Sequence, residues 1–156
     1  EIPRFSLVLP NIRSAHNVGA FFRTADGAGV QKIYITGYSP CPPHPGLAKV
    51  ALGAEESVSW EYVRQTGRLL KKLRASGIHI VGLEQTAKSV TIQSWKPHFP
   101  LCLVVGNEVT GLPQPLRALC DTLVEIPMYG VKNSLNVSVA GGIALYHVAR
   151  FYHTIS

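Results

Sequence analysis

The side chains best suited to chemistry stand in three separated segments. The first runs Asn11-Ile-Arg-Ser-Ala-His-Asn17 to Arg23-Thr24, polar residues that follow an apolar run and lead into a helical pattern. Asn17 is of the type that caps a helix N-terminus. Arg23, six residues on and beside Phe21 and Phe22, falls inside the helix with its guanidinium held by neighbours. An ordinary cap followed by a surface arginine would use the same residues. The second segment is Val104-Val-Gly106-Asn107-Glu108-Val-Thr-Gly111-Leu112-Pro113, in which a buried run ends in two glycines flanking an amide and a carboxylate. Ligands of open α/β sheets bind at such strand ends. Gly106 and Gly111 permit positive φ or close backbone approach there, and Asn107 and Glu108 can donate or accept. A plain turn has the same composition. The third segment, Ile126-Pro-Met128-Tyr-Gly-Val-Lys-Asn-Ser134-Leu135-Asn136-Val-Ser138, takes a strand end through a polar loop into a helix rich in Ala and Gly. Ser134 and Asn136 stand at its entrance.

The elements that position these segments follow from periodicity. Phe5–Leu9, Lys32–Thr36, Ile78–Leu83, Leu101–Val105 and Thr122–Ile126 are short apolar runs bounded by Gly, Pro or polar residues, and they read as buried strands. Between them, Val18–Ala28, Tyr62–Ala75, Pro115–Leu119 and Leu135–Tyr152 have helical spacing. Such alternation implies an α/β fold, a mainly parallel sheet flanked by helices on both faces. In Tyr62–Ala75, Val63, Leu69, Leu70 and Leu73 project to one side and Arg64, Arg68, Lys71 and Lys72 to the other. That basic stripe is either a solvated face or a track for a phosphate backbone. Four prolines and two glycines in Gly37–Gly46 make that stretch a stiffened surface loop.

Composition bounds the function. With 156 residues, 46% of them apolar and 15% charged, the chain reads as one compact domain over residues 1–156. No apolar run approaches the roughly 20 residues of a membrane span, so no membrane association is expected. Cys41, Cys102 and Cys120 form no C-x-x-C pair, which favours a reducing compartment, the cytoplasm, over a disulfide framework. Fifteen Lys and Arg against nine Asp and Glu give a net charge of +6, a modest sign of a polyanionic partner. The six histidines lack metal-ligand spacing, so no metal is expected. Gly27-Ala-Gly29 falls where a helix ends, which argues against a dinucleotide fingerprint. No P-loop, H-E-x-x-H or G-x-S-x-G pattern occurs.

In order and together, the three segments resemble the motifs of the SPOUT superfamily, in particular its TrmH/SpoU group of RNA ribose 2′-O-methyltransferases. The matching patterns are N-x-x-x-x-x-R-T at Asn17–Thr24, G-N-E-x-x-G-L at Gly106–Leu112 and I-P-M-x-G-x-x-x-S-L-N-V-S at Ile126–Ser138. The resemblance implies an α/β knot whose C-terminal segment forms a deep trefoil, a topology that chain-level rules do not suggest. It also implies a homodimer, S-adenosyl-L-methionine (AdoMet) as cofactor and RNA as substrate, tRNA ahead of rRNA. Arg23 would be the catalytic residue, with Asn17, Glu108, Ser134 and Asn136 completing the polar set. Leu83, Gly106, Ile126, Met128, Ser134 and Leu135 would hold the cofactor. Arg23 would either lose its proton in a special site or only orient the ribose and a phosphate, because a guanidinium is a poor base at neutral pH. Many relatives carry an RNA-recognition domain before the first motif, whereas ten residues precede Asn11 here, the form expected of a minimal member. Two other readings fit the same fold: a base methyltransferase, and a noncatalytic module that binds RNA or AdoMet.

Overall fold

A computed structural model describes residues 2–155. The chain runs β1 (Phe5–Pro10), α1 (Ala15–Ala28), β2 (Lys32–Thr36), α2 (Pro45–Ala51), α3 (Ala54–Ser57), β3 (Trp60–Val63) and α4 (Thr66–Ala75). It continues with β4 (His79–Leu83), β5 (Val90–Thr91), a 3-10 turn (Ile92–Ser94), β6 (Leu101–Val104), α5 (Gln114–Arg117), β7 (Thr122–Glu125) and α6 (Val137–Ile155). The seven strands form one sheet in the order β3-β2-β1-β6-β4-β7-β5, and every pairing is parallel. Leu7 is the register point at the centre, opposite Ile33 on one side and Leu103 on the other. The chain first moves outward from β1 to β3, then returns to insert β6 between β1 and β4.

Period-two alternation divides the strand residues between two layers. Leu7 and Leu9, Ile33 and Ile35, and Leu103 face α1 and α6, where Phe21, Phe22, Leu145 and Val148 are buried. Val8, Tyr34, Cys102 and Val104 face the opposite layer, formed by Leu69, Leu70 and Leu73 of α4 with Leu112. Both faces of the sheet are therefore covered, as an all-parallel sheet requires. In the first layer α6 approaches α1 closely: a Cβ at Gly141 would overlap the Phe21 ring.

The five expected strands are present, each to within a residue, and the expected helices over 18–28 and 135–152 form with shifted ends. Three details differ. Ser14, not Asn17, caps α1: its hydroxyl accepts the Asn17 N–H at 3.1 Å, and Asn17 lies buried inside the helix. Residues 62–75 are not one helix, because Trp60–Val63 forms an edge strand beside β2 and helix begins only at Thr66. Arg64 thus lies in the connection, and the helical stripe reduces to Arg68, Lys71 and Lys72. The proline-rich loop also ends earlier than expected, in α2, where Pro45 takes the first helical turn and His44 Nδ1 accepts the Gly46 N–H at 3.0 Å. Proline suits that turn because its missing N–H would have no helical partner there.

Candidate functional site

Parallel strands place all their carboxyl ends on one edge of the sheet, and the three singled-out segments meet there. The loop after β6 is built first by its own amide. Asn107 and Gly111 exchange backbone hydrogen bonds at 3.0 Å, and Asn107 Oδ1 accepts the N–H groups of Val109 (2.8 Å) and Thr110 (3.0 Å). Asn107 Nδ2 donates to the Asn11 carbonyl at 2.8 Å and to the Tyr38 hydroxyl at 3.0 Å. Every polar atom of that side chain is thus committed to holding the loop. Gly111 sits at φ 70°, and a Cβ on Gly106 would meet the backbone of Gly111 and Leu112, so both glycines serve this tight return.

The loop delivers Glu108 to the start of α1. Its carboxylate accepts the Arg13 N–H (2.9 Å), the Ser14 N–H (2.9 Å) and the Asn17 side-chain amide (3.0 Å). Partial burial pushes this carboxyl up, but the hydrogen bonds from Arg13, Asn17 and Ser14 outweigh it and hold Glu108 below its ordinary value of 4.5. A carboxylate at a helix N-terminus also meets the positive end of the helix dipole. First and second segments are thereby joined through an anion and three donors.

Between the ends of β4, β6 and β7 lies a cleft of about 380 Å³, within the roughly 300–1,000 Å³ usual for small-molecule sites. Leu83, Gly106, Ile126, Met128, Ser134 and Leu135 all line it. So do Glu108 and Asn136. Among the described residues, the backbone N–H groups of Ile126, Met128 and Leu135 donate to no protein acceptor. Unpaired backbone groups beside a cavity are available to a ligand. Asn136 has a second task, since its Oδ1 accepts the Ser138 N–H at 2.9 Å and hydroxyl at 2.6 Å and thereby starts α6.

Two cleft residues lacked a motif. Glu84 Oε1 accepts the Leu112 N–H at 2.6 Å and ties the β4 end to the β6 loop, and Glu125 closes the β7 side. Their signal was position: each stands at or just past the carboxyl end of a buried run. With Glu108 they give the cleft three carboxylates, and among the described lining residues there is no Lys or Arg.

Arg23 is not in this cleft. It is exposed, a turn and a half beyond Asn17 on α1, and has neither a hydrogen bond nor an ion pair among the described residues. The expectation that neighbours fix its guanidinium is therefore corrected. Phe21 and Phe22 turn into the core instead, leaving Arg23 on the face where α6 crosses: the Tyr146 hydroxyl covers Gly27, one turn further along α1. No group of three or more His, Cys, Asp or Glu among the described residues is placed to hold a metal ion.

The model of the SpoU rRNA Methylase family matches residues 4–146 of this sequence. The chain belongs to the SpoU family. Over 152 residues it is 38% identical to a 23S rRNA (guanosine-2′-O-)-methyltransferase, RlmB, of Ralstonia nicotianae, an alignment covering 96% of this chain and 60% of the relative. The chain thus spans about three fifths of that SpoU protein's length. The AdoMet-bound rRNA methyltransferase of Sinorhizobium meliloti superposes with a TM-score of 0.87 at 30% identity, covering 95% of this chain and 56% of the other. The TrmH/SpoU tRNA modifying enzyme of A. aeolicus also superposes at 0.87 and 30% identity, covering 97% and 76%. The seven-stranded parallel sheet is therefore the SPOUT-type α/β fold expected from the motifs.

Proposed function

We propose that this chain transfers a methyl group from AdoMet to a ribose 2′-hydroxyl of RNA. The observation that carries the reading is the cleft at the ends of β4, β6 and β7, in which all six expected cofactor residues meet unpaired backbone groups and a purely acidic set of charged side chains. That chemistry fits AdoMet, whose sulfonium and ammonium are cationic and whose adenine seeks backbone donors and acceptors. When bound, AdoMet would supply a methyl group activated by its positive sulfur: the ribose oxygen would form the new C–O bond as the S–CH3 bond breaks, the sulfur leaving as a neutral thioether and the hydroxyl proton passing to solvent water. The chain's own residues then have separable tasks. Backbone groups of Leu83, Gly106, Ile126, Met128 and Leu135 hold the adenine and methionine parts. Glu108 and Asn17 fix the start of α1 against the cleft, and Ser134 and Asn136 offer a hydroxyl and an amide at its mouth. Arg23 orients the ribose and its phosphate through its planar fork of donors.

Arg23 reaches such a site only from a second copy of the chain. The support is the apolar stripe Val139, Ile143 and Tyr146 on α6, 50%, 43% and 54% exposed, beside which Arg23 emerges. A stripe of this kind on a helix suits burial against its own copy. A homodimer with each cleft completed by Arg23 of the other protomer follows, together with the trefoil knot common to the superfamily, for which the late insertion of β6 beside β1 is the supporting feature. For the substrate, the tRNA preference yields to ribosomal RNA, because the curated relatives carry 23S rRNA names. A cytoplasmic location suits three free cysteines, of which burial raises the Cys102 and Cys120 thiols to about 12.

Arg23→Ala tests the assignment. AdoMet binding, followed by calorimetry, should match the parent while methyl transfer to RNA falls at least a hundredfold. A variant that transfers methyl groups at the parental rate would remove Arg23 from the site.

A further inference from the structure

On the opposite face of the sheet from α1 and α6, helices α4 and α5 leave a groove of about 490 Å³ between them. Gln65, Gly67, Arg68 and Lys71 form one wall, and Pro115, Leu116 and Leu119 form the other. Arg68 and Lys71 are exposed, and neither makes an ion pair among the described residues. Arg64 and Lys72 flank them, also exposed and also without an acidic partner. By contrast Arg74, on the same helix, is engaged by Asp121 at 3.0 Å. Four neighbouring cations without carboxylates are held at a cost in mutual repulsion that an anionic partner removes.

The groove is joined to the methyl-transfer cleft by structure. Its α5 wall continues directly from the loop that lines the cleft, and two hydrogen bonds fix the junction: Arg117 Nη1 donates to the Leu112 carbonyl at 2.6 Å, and the Leu112 N–H donates to Glu84 at 2.6 Å. The α4 wall starts where β3 ends, so it opens at the same carboxyl edge of the sheet. The cleft itself carries three carboxylates and repels phosphate, whereas the groove beside it is cationic on its α4 wall and apolar on its α5 wall.

We infer that this α4–α5 groove binds the RNA substrate next to the methylated nucleotide, with Arg68 and Lys71 on backbone phosphates and Leu116 and Leu119 against a ribose or base. The inference rests on the proposed RNA methyl transfer and adds where the RNA is gripped. An unpaired strand is the form that fits, since its bases are free to lie against the apolar α5 wall.

The test compares the parent chain, the double variant Arg68→Ala/Lys71→Ala and, as a charge control outside the groove, Lys96→Gln. Binding of unmodified 23S rRNA transcript is measured across a KCl series, and AdoMet binding by calorimetry. The double variant should bind the transcript about tenfold more weakly at 100 mM KCl. Its slope of log K against log[KCl] should be shallower by roughly 1.4, two phosphates at about 0.7 each. AdoMet affinity should be unchanged, and Lys96→Gln should resemble the parent. Parental affinity and slope in the double variant would overturn the groove while leaving the methyl-transfer reading intact. A parent that binds AdoMet but no RNA would overturn both, and an equal loss in Lys96→Gln would reduce the effect to net charge.

Discussion

Glu108 joins two loops and a helix through one carboxylate, and its removal has a calculable sign. In Glu108→Gln an amide N–H₂ replaces one of the two acceptor oxygens and meets either the Arg13 N–H or the Ser14 and Asn17 donors, setting donor against donor in either orientation. Charged-acceptor hydrogen bonds contribute roughly 1.5–3 kcal/mol each, less where water reaches them, so a loss of about 2 kcal/mol is expected in urea unfolding at pH 7. Because the folded-state carboxyl titrates below its ordinary 4.5, its stabilisation is complete above that pH and is lost as pH falls through the lower folded-state value. The gap between parent and variant should therefore begin to narrow as pH falls below 4.5 and close once the pH lies below the folded-state value; a gap that persists in acid would remove the charge from the explanation. Arg23→Ala, by contrast, takes away an exposed side chain that has no hydrogen bond or ion pair among the described residues of its own chain, and unfolding free energy should shift by less than about 0.5 kcal/mol. At this scale the sequence was informative about which residues gather at the carboxyl edge of the sheet and less so about what each touches. Glu108 and Asn136 were visible as types at a strand end and a helix entrance. That Asn107 spends its whole side chain on the loop, and that Ser14 caps α1 in place of Asn17, depends on loop geometry that no residue type declares.

Elements were legible where periodicity was long or burial two-sided. The central strands read clearly because each is apolar on both faces, and α1 and α6 because their patterns run for several turns. β3 was lost for the opposite reason: it is a four-residue edge strand with two exposed positions, and Val63 happens to continue the apolar spacing of α4. α2 was hidden behind the prolines that also begin it. The α1–α6 contact yields a test in which two effects oppose one another. Replacing Gly141 by a residue with a side chain gains up to about 1 kcal/mol of helix propensity, yet the new atoms collide with Phe21, and overpacking costs about 1–3 kcal/mol. For Gly141→Val, β-branched and larger than alanine, overpacking should win, with a net loss of about 2 kcal/mol in denaturant unfolding. A stabilised variant would mean that α6 is free to move away from α1.

For the whole molecule, composition spoke only of size and charge: one basic chain of 156 residues with a net charge of +6. The proposed pairing of copies and the proposed knot would depend on how the chain is threaded and what covers its surface, and local sequence carries neither; both entered through the ordered motifs alone. The dimer has its own check at this scale. Ile143→Glu puts a charge in the middle of the α6 stripe without touching the cleft, so sedimentation should report a monomer that has lost methyl transfer and retained its fold; an unchanged sedimentation coefficient would free the stripe from that role. The central claim is met most directly by incubating the chain with methyl-labelled AdoMet and unmodified transcripts of 23S rRNA and tRNA, then digesting each RNA to nucleosides. Label recovered from 23S rRNA as a 2′-O-methyl nucleoside is the predicted result. Label on tRNA alone would keep the reaction and reverse the substrate, whereas label on a base, or none despite AdoMet binding, would contradict ribose methylation itself.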